Sequence, residues 1–202
     1  MEAYIFDVDG TLIDTETMYL KPLSQVLANN GYQVSKDELN AVFGITAIDA
    51  LKRLGVTDPQ KIKDEWFSKV PDFRDTVTVF DGIEDALAEL SKTKKVAVAT
   101  SKASDEFKRD VTPFGLDKYF SEFVFLDDVE YGKPAPDPVL KGIEKLGSRA
   151  EMTVYVGDTE YDLQAAHAAG SKFALAGWQT PMNPKFSATD FYLKEPADLL
   201  KI

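Results

Sequence analysis

The chain has 202 residues, 44% hydrophobic and 28% charged, with a formal net charge of −11, one histidine and no cysteine. That is enough for one α/β domain with an inserted subdomain and a substantial core. The acidity argues against a nucleic-acid partner, the missing cysteines exclude disulfides and thiolate chemistry, and no apolar run is long enough to span a membrane.

Tyr4-Ile5-Phe6-Asp7-Val8-Asp9-Gly10-Thr11 is an apolar run that ends in two aspartates and a Gly-Thr turn. It predicts a buried strand running into a tight loop over residues 1–12. The strand-like start at residue 3 leaves no room for a secretory leader, so a cytoplasmic location is expected. Residues 15–76 carry helix signals and no parallel-strand pattern. Asp14 or Thr15 caps a helix reaching Asn30-Gly31. Ser35 to Glu38 reads as a capping box for a second helix stopping near Gly44. Thr46 starts a third, and Asp58-Pro59 opens a fourth bearing Ile62, Trp66 and Phe67.

From residue 80 helices and strands alternate. Asp81 to Glu84 reads as another capping box, Val96 to Thr100 as a buried strand, and Ser104 as the cap of a helix carrying Phe107, Val111 and Phe114. A strand over Phe123–Leu126 follows, then a helix from Asp137-Pro138 to Gly147 and a strand from Thr153 to Gly157. A helix ending at Gly170 comes next, with edge strands at Lys172–Leu175 and Asp190–Leu193. Such alternation implies an α/β fold, a three-layer Rossmann-like parallel sheet core with an inserted α-helical subdomain. The expected division is 1–14 and 78–202 for the core and 15–77 for the insertion.

Four groups of residues carry chemistry, and each falls at or just past a predicted strand end. In a parallel sheet those ends share one edge, where ligands bind. The first is the pair Asp7 and Asp9, which repel unless a cation or a proton intervenes. A hard divalent ion such as Mg²⁺ suits them, acting on a bound phosphate. The second is Thr100 with Ser101, whose hydroxyl and backbone N–H groups suit phosphoryl oxygens. The third is Lys133, held between Gly132 and a turn with three prolines. The fourth is Gly157-Asp158-Thr159-Glu160-Tyr161-Asp162, a second acid pair. The lone His167 lies in an Ala-rich helical segment and reads as a solvated position. With no G-x-S-x-G elbow beside it, a serine triad is disfavoured.

Phe6-Asp7-Val8-Asp9-Gly10-Thr11-Leu12, Thr100, Lys133-Pro134-Ala135-Pro136 and Gly157-Asp158-Thr159-x-x-Asp162 resemble the four ordered motifs of the haloacid dehalogenase superfamily. The match spans essentially the whole chain. The helical insertion after the first motif resembles the α-helical cap subgroup, which includes phosphoglycolate phosphatase-like enzymes and β-phosphoglucomutase. The resemblance implies that Asp7 is the nucleophile and Asp9 the general acid and base. Mg²⁺ would be held by Asp7, the Asp9 carbonyl and Asp158, with Asp162 in support. Thr100, Ser101 and Lys133 would hold the phosphoryl group. It also implies a cap closing on hinges near 12–15 and 76–82, with Tyr19, Phe43 and Thr46 selecting substrate.

An acid at position 9 supplies the proton that an alkoxide leaving group needs, which disfavours dehalogenation. A phosphomutase of the β-phosphoglucomutase type is the runner-up. That pattern has a histidine where this chain has Tyr19 and an arginine in the region of Ile45 to Ile48. A non-turnover phosphate-binding module would be shorter and would lack the large insertion. The partner expected is a small phosphorylated metabolite, since few basic residues flank the cap positions. Neither nucleic acid nor membrane is expected, and no pattern specifies an oligomeric state.

Overall fold

The apolar run at the start pairs on both sides, because it has no polar face to show to water. In the computed structural model, which describes residues 1–202, β1 is Ala3–Phe6 and the short β2 is Ile13–Asp14. Four helices follow: α1 (Glu16–Asn29), α2 (Lys36–Asn40), α3 (Ala47–Arg53) and α4 (Pro59–Lys69). A 3₁₀ segment, Val70–Thr76, leads to β3 (Thr78–Val79). Then come α5 (Ile83–Leu90), β4 (Lys95–Ala99), α6 (Ser104–Asp110), β5 (Glu122–Val124) and α7 (Asp137–Leu146). The chain continues with β6 (Thr153–Gly157), α8 (Glu160–Ala168), β7 (Lys172–Ala176) and β8 (Phe191–Leu193), and closes in a 3₁₀ turn, Pro196–Lys201.

Six strands form one all-parallel sheet in the order β5-β4-β1-β6-β7-β8. Alternate side chains of β1 serve different layers, as the two-residue period of a strand requires. Ala3 and Ile5 face α7 and α8 in one apolar cluster. The approach there is close: a Cβ on Gly142 of α7 would lie 2.8 Å from Ile5 Cδ1. Tyr4 and Phe6 face α5 and α6 in a larger cluster, which runs unbroken into the helices between β2 and β3. The linkers into and out of those helices pair antiparallel, Ile13 with Val79 and Asp14 with Thr78. Within the bundle Trp66 Nε1 donates to the Tyr19 carbonyl (2.8 Å), and Tyr19, Trp66 and Phe67 pack edge to face.

Several local expectations are corrected. Residues 81–84 form no capping box: Gly82, at φ +84°, holds the N-cap of α5, and Glu84 turns outward to Lys118 and Tyr119. Ser104 is not the cap of α6; Ala103 is, and the Glu106 carboxylate accepts the Ala103 N–H. That helix stops at Asp110, so Phe114 lies beyond it in a 3₁₀ turn and is 36% exposed. α2 ends at Asn40, short of Gly44. β5 covers 122–124 rather than 123–126. β7 is not an edge strand: it lies between β6 and β8, and all but its first residue are buried.

Candidate active site

The Asp7 N–H donates to the Val156 carbonyl (2.9 Å), so the strand ladder itself fixes the first aspartate at the sheet's carboxyl edge. The chain then folds back, with the Val8 carbonyl accepting from the N–H groups of Thr11 and Leu12 (3.2 and 2.8 Å). Gly10 makes that turn possible. Its φ is +74°, and a Cβ there would lie 2.2 Å from Asp158 Oδ2, so the acid at the end of β6 rests directly on the loop. Thr11 Oγ1 donates to Asp158 Oδ1 (3.3 Å), and Trp178 Nε1 donates to the Thr11 carbonyl (3.1 Å). Trp178 therefore packs against this loop and the core cluster.

Asp7, Asp158 and Asp162 are all buried, each with an oxygen within 4.8 Å of the others. Lys133 Nζ lies among them, 2.8 Å from Asp7 Oδ2 and 2.7 Å from Asp162 Oδ1. It also donates to the Tyr155 hydroxyl (3.3 Å), which donates in turn to the Ala99 carbonyl (2.7 Å). At 2% exposure Lys133 is no solvated loop residue. Asp162 Oδ2 accepts from the Thr159 N–H (3.0 Å) and hydroxyl (2.7 Å), the capping box that starts α8. Both Asp162 oxygens are thus committed. Asp7 Oδ2 differs: it is buried without a well-formed hydrogen bond, although the Lys133 ammonium lies beside it.

With all three carboxyls ionised, one ammonium would leave two net negative charges in this buried cluster. The Asp7 carboxyl is raised to about 7: burial pushes it up most, Lys133 pulls it down, and Asp162 and Asp9 push it up. Burial, then Asp162 and Asp7, hold Asp158 well above the carboxylate range. Burial disfavours the charge on Lys133, but Asp162 and Asp7 outweigh it and raise its pKa. The missing charge is that of one divalent cation, which would reverse the upward shifts of the acids. Hard carboxylate oxygens are the donors such an ion prefers. The residues present fit a divalent metal.

Asp9 Oδ1 accepts from the Thr15 hydroxyl and lies 3.0 Å from Lys102 Nζ. Lys102 is 3% exposed, and its ammonium also donates to Asp110 Oδ2 (3.0 Å) and the Tyr19 hydroxyl (2.9 Å). Arg109 forks onto Asp110 at 2.7 and 2.9 Å. Neither Lys102 nor Asp110 stood out in the sequence. The available signal was spacing: Asp110 falls three residues after Phe107 and one before Val111, a charge inside an apolar stripe. Thr100 lies just past β4, and its hydroxyl oxygen accepts the Lys102 N–H (3.2 Å), which leaves its own proton free. The Ser101 hydroxyl is taken, donating to the Gly44 carbonyl (3.1 Å).

The inserted helices meet the core at this point. Gly44, at φ +89°, presses on Thr159, where a Cβ would lie 2.7 Å from Thr159 Cγ2. The Tyr161 hydroxyl donates to the Ala41 carbonyl (2.7 Å) and accepts from Arg53 (2.6 Å), whose guanidinium stacks on the Tyr161 ring. A cavity of about 360 Å³ lies between the two parts, with Asp9, Ser101 and Lys102 in its lining. Tyr19, Phe43 and Thr46 line it too. The Tyr19 hydroxyl is committed to the Lys102–Asp110 network, and the Thr46 hydroxyl caps α3 and donates to Asp49 (2.7 Å). Of the three, Phe43 carries no such commitment. Two basic residues, Lys63 and Lys102, line the cavity. His167 lies on the surface, 38% exposed, paired with Asp190 at 3.0 Å.

The sequence model of the family described as "Haloacid dehalogenase-like hydrolase" matches residues 4–176. The chain belongs to this family. Two relatives cover nearly all of it. "Putative pyrophosphatase PpaX" of Caldanaerobacter subterraneus subsp. tengcongensis is 34% identical over 212 residues, 99% of this chain and 93% of the relative. "Pyrophosphatase PpaX" of Bacillus pumilus is 31% identical over 212 residues, 100% of this chain and 96% of the relative. Among solved structures, a "putative phosphoglycolate phosphatase" from Lactobacillus plantarum superposes with a TM-score of 0.90 at 24% identity, over 99% of this chain and 98% of the other. The haloacid dehalogenase-like assignment makes the chain a hydrolase, and the likeness of fold extends over both the sheet and the inserted helices.

Proposed function

We propose that this hydrolase is a Mg²⁺-dependent phosphatase acting on a small phosphorylated metabolite through an aspartyl-phosphate. The observation that carries the reading is the convergence of Asp7, Asp158, Asp162 and Lys133 in one buried cluster, beneath a cavity that Asp9 lines. Asp7 attacks phosphorus as the bond to the leaving oxygen breaks, and Asp9 gives that oxygen its proton. Asp9 then takes a proton from the water that attacks the aspartyl-phosphate, which frees Asp7 and releases inorganic phosphate. The Thr100 hydroxyl, the Ser101 amide and Lys133 hold the phosphoryl oxygens while charge redistributes. Asp7, the Asp9 carbonyl and Asp158 would hold Mg²⁺, which when bound neutralises carboxylate and phosphoryl charge. Asp162, with both oxygens in use, orients Lys133. Residues 15–77 act as a cap over a core of 1–14 and 78–202, hinged on the paired linkers, with Phe43, Tyr19 and Thr46 shaping the substrate's surroundings.

Pyrophosphate is the second reading. The relatives bear that name over their full length, and Lys63, which has no carboxylate partner, lines the cavity. The test is hydrolysis of an aryl phosphate by purified protein with Mg²⁺, with EDTA, and by Asp7→Asn. A panel of pyrophosphate and small phosphomonoesters follows. Metal-dependent turnover that Asp7→Asn abolishes is the expected result. Turnover that survives Asp7→Asn, or none on any member of the panel, refutes the reading.

A further inference from the structure

The Lys102 ammonium has three protons and three acceptors around it: Asp9 Oδ1 at 3.0 Å, Asp110 Oδ2 at 3.0 Å and the Tyr19 hydroxyl at 2.9 Å. It lines the cavity, yet two of its protons are hydrogen-bonded to Tyr19 and Asp110 and its charge is paired with Asp9, so protein acceptors surround it. Its partners are themselves braced. Arg109 forks onto both oxygens of Asp110 and donates to the Tyr19 hydroxyl (3.1 Å), and that hydroxyl donates to Asp110 Oδ2 (2.7 Å). The Asp110 side chain is wholly buried and that of Lys102 is 4% exposed. The charges of Asp9, Lys102, Asp110 and Arg109 balance within the group. At Asp9 the consequence is directional. Thr15 and Lys102 both engage Oδ1, which leaves Oδ2 as the oxygen without a protein partner.

We infer that Lys102, braced by Asp110, Arg109 and Tyr19, is a positioning residue that holds the Asp9 carboxylate with one oxygen turned to the leaving group. It does not bind substrate. This rests on the reading of Asp9 as the proton donor. A donor held in place is needed most by a poor leaving group and least by a phenol. The brace includes Tyr19 of α1, so the position of the inserted helices reaches Asp9 through Lys102.

The test compares kcat/KM, which reports steps up to departure of the leaving group, for an aryl and an alkyl phosphomonoester. Wild type, Lys102→Met, Asp110→Asn and Asp7→Asn are assayed, with thermal melts to show that each variant is folded. Asp110→Asn keeps the ammonium and loosens the brace, so it carries the test if Lys102→Met fails to fold. The expected result is a loss of kcat/KM on the alkyl ester at least about tenfold greater than on the aryl ester, and a smaller loss of the same sense in Asp110→Asn. Equal losses on both esters, or a rise in KM with kcat unchanged, would overturn the inference while the phosphatase reading stands. If wild type turns over neither ester, the phosphatase reading fails and the inference falls with it.

Discussion

Gly10→Ala separates the metal-site geometry from ordinary backbone strain. An alanine at φ +74° costs about 1–2 kcal/mol for its left-handed conformation alone. Its Cβ would also lie 2.2 Å from Asp158 Oδ2 and 2.6 Å from Asp158 Cγ, whereas ordinary contact begins at 3.4 Å. The Asp158 carboxylate must therefore move by about 1 Å, because Gly10 is held by its N–H bond to the Ile13 carbonyl (2.9 Å). Gly31→Ala is the control. Gly31 has φ +84° but nothing within 4 Å of its Cβ position, so it incurs the conformational cost without the clash. Each kcal/mol lowers the melting temperature of a chain this size by about 2–4 °C. Gly31→Ala should thus melt about 2–8 °C below wild type with an unchanged Mg²⁺ requirement. Gly10→Ala should melt at least as low and need about 10–100-fold more Mg²⁺ for half-maximal phosphatase activity. The assays are thermal melts and a Mg²⁺ titration of aryl phosphate hydrolysis. A wild-type titration curve in Gly10→Ala would refute the placement of Asp158 in the metal site.

Lys133→Met strands three buried carboxylates and should cost about 3–5 kcal/mol without metal, with Mg²⁺ raising the melting temperature of the variant more than that of wild type. Calorimetry across a Mg²⁺ series checks this. Burial works to raise Asp110, but Arg109, Lys102 and Tyr19 outweigh it and hold its pKa below the usual carboxylate value. A depressed folded pKa means stability that is present above the unfolded value of about 3.9 and lost as pH falls through the folded one. The gap in melting temperature between wild type and Asp110→Asn should therefore be full at pH 7 and shrink below about pH 4. Tyr161→Phe removes the hydroxyl that joins Ala41 and Arg53, at a cost of about 1–2 kcal/mol. Faster amide exchange in residues 36–53 should accompany it, and unchanged exchange would show that this contact does not hold the inserted helices to the core. His167→Ala should leave kcat/KM within about twofold of wild type, since surface substitutions away from a site rarely matter, and a larger loss would place a histidine in the mechanism.

The acid pairs and the hydroxyl were legible because each follows a short apolar run, and the lysine because it sits between a glycine and a proline-rich turn. Burial of those runs on both faces follows from an unbroken apolar stretch of neighbouring residues. Parallel pairing then carries their carboxyl ends to one edge without further information, which is how Asp7 and Asp158, separated by most of the chain, come to share a loop contact. Local chemistry likewise marked the caps of α2, α3 and α4 at Ser35, Thr46 and Asp58, whose side chains bond three residues ahead. It misled at Asp81 and Ser104, where the same residue types find partners elsewhere or none. What the tertiary structure alone decided is which polar groups are spent. Lys102 and Asp110 read as ordinary surface charges in sequence, and only the tertiary contact of this segment with Tyr19 of α1 buries them, with Lys102 beside Asp9. Tyr19 and Thr46 read as candidates for substrate selection, yet their hydroxyls, like that of Ser101, are each committed to a protein partner. A hydrogen bond between residues as far apart as Tyr19 and Asp110 depends on where two elements come to rest, and no local pattern of residues encodes that distance.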